Sequence, residues 1–179
     1  MHTLIRIALR GALILALPSG VHAGAEKVRF PDGYRSGFVR YSSVDKPERK
    51  PPIVRFLYVN TDALAGARPG VPLPDSTVIV MEDHPAVLDA AGQPVHDPDG
   101  RFVAAPDITN VFVQEKRAGW GTGYAPEVRN GEWEYARFKA DGTIDPKWTY
   151  EKCFSCHKSQ ANADFNFTFT PFVESVKAR

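Results

Sequence analysis

Both cysteines of the 179-residue chain fall within one pentapeptide, Cys153-Phe154-Ser155-Cys156-His157. The spacing C-x-x-C-H is the pattern of covalent c-type haem attachment. Each thiol adds across one vinyl group of a single porphyrin, and the adjacent imidazole reaches the iron from the same side. Cys153 and Cys156 are thus the expected cofactor-binding residues, His157 the proximal iron ligand, and one haem c the cofactor. A thioredoxin-like redox pair calls for a surrounding strand-helix-strand unit, and a zinc site for further Cys or His ligands at suitable spacing. Neither is present, which leaves a lone structural disulfide as the alternative. The opposite side of an iron needs its own candidates. Met81 is the only methionine besides Met1, so it is either a distal ligand or cap, completing a His/Met pair, or a core gap-filler at a strand end. His84 and His96 compete for that position, but His84 precedes Pro85 and His96 lies in a Pro-rich stretch, so both are expected to face solvent.

Residues 1–23 place Arg6 and Arg10 before an apolar run and end in Val21-His22-Ala23, the pattern of a cleaved secretory signal peptide. The apolar run is far shorter than the ~20 residues of a spanning helix, so no membrane span is expected after cleavage. Export fits the motif, since covalent haem attachment takes place outside the bacterial cytoplasm, and the expected location is periplasmic. Losing two leader arginines takes the net charge from +1 to −1, which speaks against nucleic acid as a partner.

Residues 24–179 read as one domain without an internal repeat. Stretches 53–59, 77–81, 108–113 and 133–138 are rich in β-branched and aromatic residues and bounded by Pro, Gly, Asn or Asp, which predicts strands, with 38–41 a fifth. Helices are expected over 62–67 and 146–158, the second with Asp145 as N-cap and Pro146 at its first position. Residues 83–105, rich in Pro, Asp and Gly, predict a long surface excursion. Phe165, Phe167 and Phe169 alternate with Asn166, Thr168 and Thr170, which predicts a terminal strand whose aromatic face covers a haem or seals a dimer. Glu82, Glu132 and Glu134 are the carboxylates to test as proton carriers, a role that needs hydrogen-bond reach to a substrate. Arg55, Arg117, Arg129 and Arg137 are available to pair with them. If Met81 is ordinary core, Phe38, Phe56 and Tyr58 are the distal-pocket candidates.

Five strings carry a family resemblance. They are Phe30-Pro31-Asp32-Gly33-Tyr34, Thr77-Val78-Ile79-Val80-Met81-Glu82, Glu115-Lys116-Arg117-Ala118-Gly119-Trp120-Gly121, Arg129-Asn130-Gly131-Glu132-Trp133-Glu134-Tyr135 and Cys153-Phe154-Ser155-Cys156-His157-Lys158. In this order the chain resembles the cytochrome P-460 family, including its cytochrome c'-beta branch. The resemblance implies a mainly β (α+β) fold, an antiparallel sheet with a few short helices and haem c near the C-terminus, and a homodimer. One branch oxidises hydroxylamine and cross-links a lysine to the porphyrin, beside a carboxylate that moves protons. The other lacks the link and binds small gases such as nitric oxide in an apolar pocket. The cross-linking lysine aligns at or near Met81, and no lysine occurs from 62 to 110. The expectation is therefore a mono-haem cytochrome that binds nitric oxide or a similar small gaseous or nitrogenous ligand, exchanges electrons with a redox partner protein, or both. Hydroxylamine oxidation is the alternative.

Overall fold

Alternating side chains build five strands, β1 (Phe38–Lys46), β2 (Ile53–Asn60), β3 (Val78–Pro85), β4 (Asn110–Lys116) and β5 (Trp133–Phe138). In the computed structural model, which describes residues 24–177, they form one antiparallel sheet in the order β1-β2-β3-β4-β5. Four short helices accompany it: α1 (Tyr34–Gly37), α2 (Thr61–Gly66), α3 (Glu151–Lys158) and α4 (Phe169–Lys177). The fold is mainly antiparallel β, as expected. The signal peptide expected over 1–23 lies outside the described residues. Among those described, no helix is long and apolar enough to cross a membrane.

Register sorts residues onto two faces, because neighbours directly opposite across a sheet point the same way. Leu57, Met81, Phe112 and Arg137 form one row on the front face, while Phe56, Glu82, Val111 and Phe138 form the adjacent row on the back. The front is closed by α3 and α4, which pack Phe154, Phe169 and Val173 against Val59, Ile79, Trp133 and Tyr135. The back is closed by the N-terminal segment, whose Val28 and Tyr34 meet Tyr58, Val80, Val111 and Phe138. Each such large apolar side chain contributes about 1.5–3 kcal/mol when fully buried. A β-bulge at the β1 shift between Arg40 and Ser42 turns Tyr41 to the front. There its ring packs on Phe169 and Phe172, and its hydroxyl lies 2.7 Å from that of Thr168.

Four expectations need correction. The helix over 146–158 begins only at Glu151, because the Asp145 carboxylate accepts from the Lys147 N–H and pairs with Arg137, closing a separate turn. The terminal aromatic strand is instead a loop and a helix. Asp164 and Phe165 take left-handed backbone (φ 51° and 58°), and the buried Asn166 side chain accepts from the N–H groups of Thr168, Phe169 and Thr170, capping α4. Residues 83–105 first extend β3 to Pro85 and then fold as bridged arms built on an eight-residue repeat that the composition hid. Val87, Val95 and Val103 join by backbone hydrogen bonds, and Asp89 and Asp97 each accept from the N–H groups two and four residues on. His96 is exposed, but His84 is buried rather than solvent-facing.

His84 belongs to a back-face network centred on Glu82, which is 2% exposed. The Glu82 carboxylate accepts from Tyr34, from Arg35 Nε at 2.8 Å and from His84 Nε2, while His84 Nδ1 donates to the Ala105 carbonyl at 2.8 Å. Burial alone would push the Glu82 carboxyl up, but hydrogen bonds from His84, Arg35 and Tyr34 outweigh it and hold the pKa at about 2. Burial likewise opposes charge on His84, and the Glu82 and Ala105 acceptors reverse that, raising its pKa. The Glu82 contribution is present above the ordinary carboxyl value near 4.5 and is lost as pH falls toward 2. The His84 contribution is present below its ordinary value of 6.5 and is lost as pH rises through the raised folded one. Urea unfolding from pH 2 to 9 should accordingly show a stability maximum between about pH 4.5 and 6.5. Glu82→Gln should cost about 3 kcal/mol or more at that maximum, as removing one partner of a buried ion pair does, and flatten the acid limb. An unchanged acid limb in the variant would remove Glu82 as its source.

Candidate functional site

Helical spacing puts Cys153, Cys156 and His157 on neighbouring positions of α3, while Glu151, Ser155 and Lys158 lie on another side. The helix is pinned from outside: Lys158 Nζ donates to the carbonyls of Pro126 and Arg129, and Asn130 Nδ2 to that of Phe154. The two thiols are not joined in a disulfide. Cys153 is half-buried beside the Trp148 indole, whose N–H lies 3.4 Å from its sulfur, and burial pushes its thiol pKa up; Cys156 is exposed.

His157 is held on three sides. Its Nδ1 donates to the Phe165 carbonyl at 2.7 Å, Tyr135 packs on the ring at 4.7 Å between centroids, and Phe167 meets it edge-on at 5.0 Å. Burial lowers its pKa and keeps the imidazole neutral, the state in which it ligates a metal. With Nδ1 committed, Nε2 is the nitrogen left with an available lone pair.

His157 and Cys156 line a cavity of about 370 Å³ between the sheet and the loop before α4, within the size range of small-molecule sites. The sheet contributes Leu57, Ile79, Met81 and Gln114, β1 contributes Val44 and Lys46, and the loop contributes Asn166, Phe167 and Thr168. Arg55 also reaches the wall, neutralised by two hydrogen bonds to Asp83 at 2.6 and 2.9 Å. A larger cavity, about 440 Å³, lies against Phe154, Ser155 and Lys158 and includes neither cysteine nor the histidine, so Cys156 and His157 face the smaller one, with Cys153 on the same helix beside it.

The fold thus brings Met81 and His157, 76 residues apart in sequence, to one cavity. It does not bring Phe38, Phe56 and Tyr58 there. Register and packing put them on the back face with Tyr34 and Val80, so they are no distal pocket. Glu82 and Glu134 also lie on the back, and Glu132 pairs with Arg129; no carboxylate lines the cavity among the described residues. Lys46, Gln114 and Asn166 are cavity residues that sequence reasoning passed over. Gln114 stands on the front of β4 opposite Ile79, past the point where the predicted strand ended, while the bulge in β1 and the left-handed turn at 164–165, which leave no periodic trace, bring Lys46 and Asn166 to it.

The donor set fits a covalently held haem: two thiols on one helix, a neutral imidazole with one nitrogen open, and a mostly apolar cavity beside them. Among the described residues, no group of three or more His, Cys, Asp or Glu side chains gathers to hold an ion directly. No curated protein matches the chain. A family model for cytochrome P460 matches residues 31–168, from the back-face cover through the C-x-x-C-H helix to the loop that holds His157. By that match over most of its length, the chain belongs to the cytochrome P460 family of haem-binding cytochromes.

Proposed function

We propose that the protein is a periplasmic mono-haem c-type cytochrome that binds nitric oxide or a similar small ligand, passes electrons to a redox partner protein, or both, and acts as a homodimer. The observation that carries this reading is the shared cavity of Met81 and His157. Cys153 and Cys156 would hold the porphyrin by thioethers and His157 the iron by Nε2; the haem supplies a redox-active iron that accepts small ligands. Met81 stands on the sheet wall of that cavity as a weak sulfur ligand or a removable cap. Leu57, Ile79 and Val44 exclude water around it, which favours neutral diatomic molecules over anions that must shed their hydration. Arg55 at the wall does not reverse that preference, since it is paired with the buried Asp83.

One observation favours a second reading, hydroxylamine oxidation with a haem–lysine link: Lys46 lines the cavity although Met81 occupies the aligned position of the cross-linking lysine. The mass of the haem-bearing tryptic peptide discriminates. A peptide from the 150–158 region alone is the expected result, and one joined through Lys46 to β1 establishes the oxidase-type link.

Two further outcomes are expected. Replacing both Cys153 and Cys156 by Ser should abolish covalently retained haem after denaturation; normal recovery of a spectrally unchanged holoprotein would overturn the attachment. Met81→Ala should turn a six-coordinate spectrum five-coordinate where sulfur is bound, and should speed carbon monoxide association about tenfold, equivalent to removing ~1.4 kcal/mol of barrier. Unchanged spectra together with unchanged association would return Met81 to ordinary core.

A further inference from the structure

Glu134 is the most buried carboxylate in the structure, fully inaccessible on the back face of β5, and it is only half satisfied. Its Oε1 accepts from the Tyr124 hydroxyl at 2.5 Å and from Lys27 Nζ at 3.3 Å, while Oε2 is buried with no donor among the described residues. Lys27 is more than a third exposed, so it compensates the charge weakly. Burial raises the Glu134 pKa against the hydrogen bond from Tyr124 and the charge of Lys27. The Gly24 nitrogen donates to the Tyr124 hydroxyl at 2.5 Å, and a Cβ at Gly24 would stand 2.9 Å from Glu134 Oε1. The backbone at 24 therefore lies against the carboxylate, and a side chain there would have to displace Glu134 or the Lys27 stem. Gly24 is also the residue that follows Val21-His22-Ala23.

We infer that the Glu134–Tyr124 pair is a receptor for the α-ammonium group created at Gly24 when residues 1–23 are removed. The inference rests on the proposed export. A leader peptidase hydrolyses the Ala23–Gly24 bond before the chain folds: water gives its hydroxyl to the Ala23 carbonyl and a proton to the Gly24 nitrogen, and the leader leaves as a carboxylate. The amide at Gly24 has one hydrogen, already given to Tyr124. The ammonium has three, one for Tyr124 and two for the carboxylate, and it carries the second positive charge that the buried Glu134 lacks. Capture of an N-terminal amine by a prepared polar site is a known mode of recognition. Here processing completes the back-face core, so removal of the leader is a folding step as well as an address.

The test uses the exported, haem-loaded protein. Intact mass should place its first residue at Gly24. At pH 8, acetic anhydride should label that amine at least tenfold more slowly than the amine of the free peptide Gly-Ala-Glu-Lys, because the ion pair keeps it protonated and covered. Glu134→Gln should restore the peptide's rate, and so should one alanine inserted between Ala23 and Gly24, which moves the amine by about 3.8 Å. The wild-type comparison stands even where a variant does not fold. Protein recovered with residues 1–23 attached overturns the export reading and the inference with it. Exported protein that begins at Gly24, but whose amine labels at the peptide's rate, overturns the inference alone.

Discussion

The hydrogen bond from His157 Nδ1 to the Phe165 carbonyl is the constraint around which the front of the molecule is built. It orients the ring and decides which nitrogen faces the cavity, and it exists only because Asp164 and Phe165 adopt left-handed backbone. For a phenylalanine that conformation costs about 1–3 kcal/mol, so neighbours must hold it. Lys116 pairs with Asp164 at 2.8 Å, the Leu73 N–H donates to the same carboxylate at 2.9 Å, and Gln114 Nε2 donates to the Phe165 carbonyl at 3.0 Å. Asn166 donates to Gln114 and caps α4. A strained turn, strand β4 and a helix cap therefore converge on one imidazole, and losing any of them would let it swing.

The sheet separates two kinds of chemistry. Its front presents sulfur and aliphatic side chains to the α3 histidine, a surface on which a flat aromatic cofactor is at home, with one buried ion pair, Arg55–Asp83, at its margin. Its back holds the larger share of buried charge, with Glu82, His84 and Arg35 in one network and Glu134 in another. Since β3 carries Met81 forward and Glu82 backward, these environments lie one residue apart, and a one-residue slip of register would exchange them. The pairing of β2 and β4 on either side fixes that register.

Much of this was legible in the residues. The five strands announced themselves by β-branched and aromatic runs, and the C-x-x-C-H spacing located α3 and its reactive face. Met81 followed from alternation along β3 and an alignment to the family. What stayed hidden depends on single side chains acting over distance. The alternation of Phe165, Phe167 and Phe169 resembled a strand because the capping by Asn166 competes with pairing only once Gln114 is in place. Phe38, Phe56 and Tyr58 are aromatic enough for a pocket, but strand parity sends them to the other face. His84 beside a proline suggested a loop, whereas β3 runs on to Pro85 and buries the ring.

The plain meander has a kinetic meaning. Each strand pairs only with its neighbours in the chain, so contacts are short in sequence and the sheet can zip up progressively from its N-terminal end. All five strands precede residue 151, where the reactive helix begins. The two thiols and the imidazole thus come after every strand in the chain, and the sheet wall they face is made wholly of residues that precede them. Only α4 and the loop before it follow α3, so the front of the Met81 row is covered entirely by the last stretch of the described chain.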